Sequence, residues 1–110
     1  AEVAYKKESR IRGLMYRNSM EKNSGMLFVF PEAAIHSMWM INTYIPLSIA
    51  FLDEDGIILN IIDMSPHTRT KNSAASKAKY ALEMNLGWFS SRNIKAGEKI
   101  TGLEKAPNAE

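Results

Sequence analysis

The strongest constraint on the fold is a pair of apolar runs separated by a short acidic turn. The first run is Leu47–Leu52, the second is residues 57–62, and residues 53–56 (DEDG) join them. Two such runs around a short turn that ends in Asp-Gly are typical of an antiparallel β-hairpin. The acidic residues lack the spaced ligands and closing glutamate of a calcium loop, so we interpret them as a solvated hairpin tip.

The rest of the chain predicts an α+β fold dominated by strands. Further strands are predicted at residues 3–5, 26–30, 36–41, 79–84 and 100–103, and short helices at residues 6–17 and 85–92. Residues 65–76 form a long polar loop, a length that in compact domains often has a functional role. We therefore predict one domain of about six or seven mostly antiparallel strands, forming a bent sheet or a small barrel. Residues 104–110 are predicted to be a frayed tail.

The first helix carries its apolar residues at helical spacing. Ile11, Leu14 and Met15 lie three to four positions apart and predict a stripe that faces the core. Gly13 lies within this stripe and is unfavourable inside a helix. It is expected either to end the helix or to permit close approach of another part of the chain.

Composition excludes several classes of function. A chain of 110 residues is expected to form a single domain. Its net charge of +2 and scattered basic residues argue against nucleic-acid binding. The absence of cysteine excludes disulfides, thiolate metal sites and a cysteine nucleophile. No apolar run approaches the roughly 20 residues that span a bilayer, so a transmembrane protein is not expected.

The start of the chain bears on its location. It begins Ala1-Glu2 without methionine, as a mature exported protein does after signal cleavage, although a cloned fragment would look the same. We expect a periplasmic or extracellular protein, with a cytoplasmic one as the alternative.

The first candidate site is the polar interruption at Asn42 and Thr43. These residues lie in an apolar stretch beside Trp39, and buried polar groups require hydrogen-bond partners. One interpretation is that they cap a turn before Pro46. The other is that they point into a pocket walled by Trp39 and Met38.

The second candidate pair is Glu83 and Asn85. They alternate with Leu82 and Met84, and therefore share the other face of that strand. If this face lines a cleft, Glu83 could form an ion pair with Arg12 or act as a base. The ion pair is the more common outcome in proteins.

A metal site or a catalytic triad has little support in the sequence. His36 and His67 are the only histidines, and their spacing matches no zinc motif, so neither a metal nor another cofactor is predicted. No serine occurs in a recognisable nucleophile elbow.

Several tracts together resemble a known family of small bacterial and archaeal proteins, domain of unknown function 192. The tracts are residues 12–15, 25–31 (GMLFVFP), 38–49 (MWMINTYIPLSI), 51–58 (FLDEDGII) and 81–87 (ALEMNLG). The resemblance covers almost the whole chain. It implies a β-dominated fold and an envelope location, and it supplies no catalytic residue because none is established in that family.

The chain departs from the family pattern at two positions. The family typically has Lys where this chain has Ile41, and Asp where it has Ser48. Any mechanism that uses those two charges is therefore weakened here.

The function predicted from the sequence is a non-enzymatic binding or interaction module. Its partner would be a small polar ligand, either a sugar or a peptide, or an envelope protein. The candidate ligand-binding residues are Arg12, Trp39, Asn42, Thr43, Glu83 and Asn85. The alternatives are a hydrolytic enzyme that uses Glu83 or His67, and a structural accessory of an envelope complex.

Overall fold

The computed structural model describes all 110 residues, Ala1 to Glu110. Seven strands, two short α-helices and one 3-10 turn form a single domain, which confirms the predicted class. The strands are β1 (Glu2–Ala4), β2 (Gly25–Ala34), β3 (Ser37–Met38), β4 (Leu47–Leu52), β5 (Ile58–Met64), β6 (Asn72–Ser73) and β7 (Ala78–Asn85). The helices are α1 (Lys7–Arg12) and α2 (Trp88–Ser91), and the 3-10 turn is Leu103–Lys105. Neither helix is long and apolar enough to cross a membrane.

Five strands form one sheet in the order β1-β2-β7-β4-β5. β1 runs parallel to β2 and every other neighbouring pair in this sheet is antiparallel. β3 and β6 pair separately as a small antiparallel ribbon. The sheet does not close, so of the two architectures predicted from the sequence the open sheet is confirmed and the barrel is not formed.

β4 and its hairpin partner β5 confirm the strongest sequence signal. All six residues of β4 are buried. At the tip, the Asp53 carboxylate accepts hydrogen bonds from the backbone N–H groups of Asp55 and Ile57, both at 2.9 Å. These bonds use the acidic turn to fix the hairpin, as expected of an Asx turn.

The sheet is covered on both faces. One face packs under α1 and the β3–β6 ribbon, with a core that includes Phe28, Ile49 and Phe51. The other face packs against α2 and the C-terminal segment, with a core that includes Leu52 and Phe89. Complete burial of β4 follows from this two-sided cover, because successive side chains of a strand point to opposite faces.

Several predicted element boundaries were wrong. The predicted helix at residues 6–17 ends at Arg12, and that at residues 85–92 is reduced to α2, because β7 continues through Asn85. No strand forms at residues 100–103. Only an isolated bridge joins Lys99 to Ile57 before the 3-10 turn. Residues 31–34 belong to β2, and the strand predicted at residues 36–41 is limited to Ser37–Met38.

The apolar stripe of α1 was also predicted wrongly. Because the helix stops at Arg12, Ile11 does not share a buried face with Leu14, and it is 68% exposed whereas Leu14 is 2% exposed. Gly13 ends the helix with φ of 49°, and a Cβ there would lie 3.2 Å from the Phe28 ring. Both expectations for Gly13 are therefore met. No residue of α1 itself is buried.

The end of the chain returns to its beginning. Residues 104–110, predicted as a frayed tail, lead to Glu110, whose backbone N–H donates to the Tyr5 carbonyl at 2.7 Å. The Arg10 guanidinium also donates to the Glu110 carbonyl.

We expect Gly25→Ala to destabilise the domain by about 2 kcal/mol, because β2 and β7 approach too closely there for a side chain. A Cβ at Gly25 would lie 2.2 Å from the Met84 sulfur and 2.4 Å from the Glu83 carbonyl oxygen. Urea unfolding measures the change.

Gly97→Ala is the matched control for this substitution. A Cβ at Gly97 meets nothing within 4 Å, although its φ of 92° adds backbone strain of about 1 kcal/mol. Equal loss of stability in the two variants would contradict the packing argument.

Candidate functional site

A cleft of about 630 Å³ opens on the α1 side of the sheet. Its floor is formed by Phe28, Phe30 and Glu83 of the sheet. One wall is α1 with the turn that follows it, and the opposite wall is residues 36–43. The volume is in the range of small-molecule sites, and the lining is largely apolar, as such sites usually are.

Glu83 is the buried acidic group of this cleft. It lies on β7 opposite Met26 of β2 and Ile49 of β4, and it is only 4% exposed. Burial away from water raises the pKa of the Glu83 carboxyl to about 8. The carboxyl is therefore predominantly protonated and neutral at pH 7.

The Glu83 carboxyl makes no hydrogen bond within the chain. Every fully enclosed polar side-chain atom of the structure does have a partner. The carboxyl oxygens of Glu83 must therefore reach the space of the cleft. A carboxyl group that is 4% exposed at the base of a cleft can form hydrogen bonds only with what enters that cleft, either water or a ligand.

The basic residues of α1 lie along the same cleft. Arg10 is already engaged, since its guanidinium donates to the backbone carbonyls of Tyr5, Val29 and Glu110. Lys7 and Arg12 are exposed and line the opening. The ion pair predicted between Arg12 and Glu83 is not formed, since Arg12 is exposed at the opening whereas Glu83 is buried at the floor, and the salt bridge in this structure joins Arg17 to Glu2.

Trp39 and Thr43 also line the cleft, from the opposite wall. Trp39 is 55% exposed, an unusual exposure for so large an apolar side chain. Thr43 is buried, and its hydroxyl donates to the Ile41 carbonyl at 3.3 Å. Four residues predicted from the sequence, Arg12, Trp39, Thr43 and Glu83, thus border one cavity.

Asn42 and Asn85 do not line the cleft. Asn42 adopts a left-handed conformation with φ of 55°, and its side-chain amide donates to the Tyr16 hydroxyl at 3.2 Å. The Asn42 carbonyl also accepts from the Tyr16 backbone N–H at 2.9 Å. These two bonds tie residues 36–43 to the segment after α1.

Asn85 has a separate structural contact. Its amide donates to the backbone carbonyls of Met20, at 3.2 Å, and Glu21, at 2.9 Å. It thereby fastens the loop before β2 to the end of β7.

The two histidines lie in different surroundings. His36 borders the cleft, stacks on Phe30 with ring centroids 3.8 Å apart, and bonds to the Glu32 carbonyl through Nε2 at 2.9 Å. His67 packs against Tyr44 at 4.9 Å and does not border the cleft. His67 and Glu83 therefore do not face each other across this site.

The sequence analysis missed part of the opening, because Ile11 was assigned to a buried helix face and is in fact exposed beside the cleft. Phe28 and Phe30 alternate along β2 on one face of the sheet, and both are buried beneath the cleft. Their spacing does not show that a cleft lies above this face, because this depends on where α1 ends.

The two departures from the family pattern lie on different sides of the sheet. Ile41 lines the cleft, so the chain presents an apolar side chain there. Ser48 lies on the α2 side, where its hydroxyl donates to the Asp63 carboxylate at 2.6 Å and accepts from the Gly87 N–H at 2.9 Å. Ser48 is therefore a positioning residue for the start of α2 and takes no part in the cleft.

We expect the stability of the wild-type protein to fall with pH relative to that of Glu83→Gln. The folded protein holds a proton on Glu83 that the unfolded chain releases near pH 4.5, so this contribution is complete below pH 4.5 and is lost as pH rises through about 8. The slope approaches about 1.4 kcal/mol per pH unit in this window. Urea unfolding at pH 5, 6.5, 8 and 9.5 measures it.

Glu98→Gln, at an exposed position, is the control and should keep the wild-type profile. If the free energy of unfolding changes with pH in the same way in the wild type and in Glu83→Gln, Glu83 does not carry this proton.

Comparison with known proteins gives two structures and one family. A crystal structure from Sinorhizobium meliloti 1021, provisionally described as a transcription regulator, is 36% identical with a TM-score of 0.86, over 89% of this chain and 77% of that one. A protein of unknown function from Novosphingobium aromaticivorans DSM 12444 is 33% identical with a TM-score of 0.86, over 89% of this chain and 71% of that one. No curated protein matches the sequence.

The family model of DUF192, described as Uncharacterized ACR, matches residues 1–102. This match covers nearly the whole chain and agrees with the tracts identified in the sequence. The chain belongs to the DUF192 family.

Proposed function

We propose that this domain is a non-enzymatic binding module and that its cleft takes a small polar ligand, such as a sugar or a peptide. Four of the six residues predicted from the sequence, Arg12, Trp39, Thr43 and Glu83, border the cleft. The envelope location stays a prediction from the resemblance and from the first residues of the chain.

The observation that carries this proposal is the carboxyl group of Glu83. It is buried on an apolar floor, it has no partner within the chain, and it reaches the cleft. Its hydrogen bonds can come only from molecules in the cleft, so a ligand that displaces water there must replace those bonds or lose about 1–3 kcal/mol. The arrangement therefore favours a ligand with at least one polar group.

The exposed Trp39 supports the same proposal. A rigid aromatic side chain beside a cavity offers a large contact area at little cost in conformational entropy. Sugar rings and apolar peptide side chains both pack well on such a surface. Thr43 and Ile41 continue this wall toward the floor.

A hydrolytic enzyme is the second candidate, because a carboxyl with a raised pKa in an open cleft is a frequent property of general acids. Such an enzyme also requires an activated nucleophile. The Ser37 hydroxyl bonds to the Ser73 hydroxyl at 2.7 Å, and the Thr43 hydroxyl bonds to a backbone carbonyl. Neither is hydrogen-bonded to a histidine or a carboxylate, so binding without catalysis has the better support.

Two further functions have less support from the molecule. Regulation of transcription by DNA binding, suggested by the description of the Sinorhizobium structure, would favour a basic surface and a recognition helix. This chain has a net charge of +2 and helices of six and four residues. A structural accessory of an envelope complex, the third function considered from the sequence, is favoured by no particular surface contact.

We expect Trp39→Ala to weaken ligand binding at least fivefold, because truncating the aromatic wall removes contact area without disturbing the core. The assay titrates glucose, N-acetylglucosamine, Ala-Leu-Ala and Ala-Phe-Ala into labelled protein and follows backbone ¹H–¹⁵N NMR shifts. The proposal expects at least one of these probes to shift signals from the residues that border the cleft.

Leu86→Ala is the matched control. Leu86 is 52% exposed, close to the value for Trp39, and does not border the cleft. Binding should survive this change. Shifts that cluster away from the cleft, or binding that is unaffected by Trp39→Ala, would contradict the proposed site.

A further inference from the structure

Basic side chains outnumber acidic ones around the cleft, and this excess indicates which class of ligand can bind. The charged and titratable groups that border it are Lys7, Arg10 and Arg12 of α1, His36 of the opposite wall, and Glu83 of the floor. The single acid is buried and neutral at pH 7, whereas the lysine and the two arginines are cations. The cleft therefore carries a positive potential, which favours an anion over a cation.

A neutral carboxyl group has a specific use beside an anion. When protonated, Glu83 has one O–H donor, and the structure provides no acceptor for it within the chain. A ligand carboxylate is the strongest acceptor for such a donor, since hydrogen bonds to a charged partner are about twice as strong as neutral ones. A ligand ammonium would instead require Glu83 to ionise on an apolar floor.

The uncharged residues of the lining determine which kind of chemical group can accompany the anion in the ligand. The apolar surface of the cleft comes mainly from its walls, where Ile11 and Trp39 are exposed and Ile41 is half-buried. A strongly hydrated anion, such as phosphate, would lose water there without compensation. An anion attached to an apolar body would bury that body between these apolar walls.

We propose that the cleft selects amphipathic carboxylates: the ligand carboxylate accepts the Glu83 proton in a hydrogen bond, and its apolar body lies against the exposed side chains of Ile11 and Trp39. Lys7 and Arg12 attract the negative charge at the opening. Such ligands include medium-chain fatty acids and the C-terminal end of a peptide with an apolar last residue. This inference rests on the proposed binding function and specifies its ligand.

The test compares three probes of the same length but different charge. Octanoate, octanamide and octylammonium are each titrated into the protein by calorimetry at pH 7, and ¹H–¹⁵N NMR shifts at pH 6.5 locate the site. We expect octanoate to bind in the cleft at least tenfold more tightly than octanamide, and octylammonium to bind least. Arg12→Ala should lower the affinity for octanoate at least threefold and leave the affinity for octanamide nearly unchanged. Arg69→Ala, at an exposed site outside the cleft, is the control and should change neither affinity.

The pH dependence of octanoate affinity distinguishes the contribution of Glu83 from that of the surrounding cations. Since ionised Glu83 repels a carboxylate, octanoate affinity should fall roughly tenfold between pH 7 and pH 9. Glu83→Gln keeps an N–H donor and cannot ionise, so it should bind octanoate with a flat profile over this range. A fall of the same size in Glu83→Gln would assign the pH dependence to the cations and overturn the role of Glu83.

The outcomes distinguish the inference from the proposed function. If octanamide or octylammonium binds in the cleft as tightly as octanoate, selection of carboxylates is overturned and the binding module stands. If octanoate shifts only residues outside the cleft, the ligand class is overturned. If no octyl probe, sugar or peptide shifts cleft residues, both proposals fail.

Discussion

Burial of β4 on both faces is the constraint on which the rest of this structure depends. All six of its residues lie out of solvent, including Ser48, so each face of the sheet needs cover. On one side α2 and the C-terminal segment supply it, and the Ser48 hydroxyl hydrogen-bonds to the start of α2. On the other side the cover comes from α1, the β3–β6 ribbon and the connecting loops. Their different sizes decide where the cleft lies.

The cleft exists because α1 is too short to cover the sheet alone. Gly13 ends the helix where Phe28 approaches the backbone, and the helix itself contributes no buried residue. It is held at its ends, by the Arg10 bonds to carbonyl groups at one side and by buried Leu14 at the other. A longer helix with its stripe turned inward would have filled this space with side chains. The cleft is therefore open because Gly13 ends α1.

A carboxyl group placed on the floor of such a cleft is an expensive feature for a small domain. Domains of this size are stable by only about 5–15 kcal/mol, and burial raises the pKa of this carboxyl to about 8, so a charge here would take a substantial fraction of the total. An aliphatic residue between Met26 and Ile49 would pack the floor without this cost. The position of Glu83 is the physical reason for assigning a binding role to this face and not to the opposite one.

The sequence by itself determined the class of the fold, the β4–β5 hairpin and most of the central strands. These depend on local patterns, namely continuous apolar runs, turn residues and strand alternation, which act over a few positions. It also singled out Glu83, Trp39 and Thr43, because a polar residue in an apolar tract and an adjacent tryptophan can be recognised without a structure. The role of Ile11 was predicted wrongly from the same kind of pattern, since helical spacing cannot show where the helix stops. Only the tertiary structure decided that Glu83 has no partner within the chain, that Asn42 and Asn85 fasten loops instead, and that a cleft lies above Glu83. Those facts depend on contacts between segments distant along the chain, and local patterns do not specify such contacts.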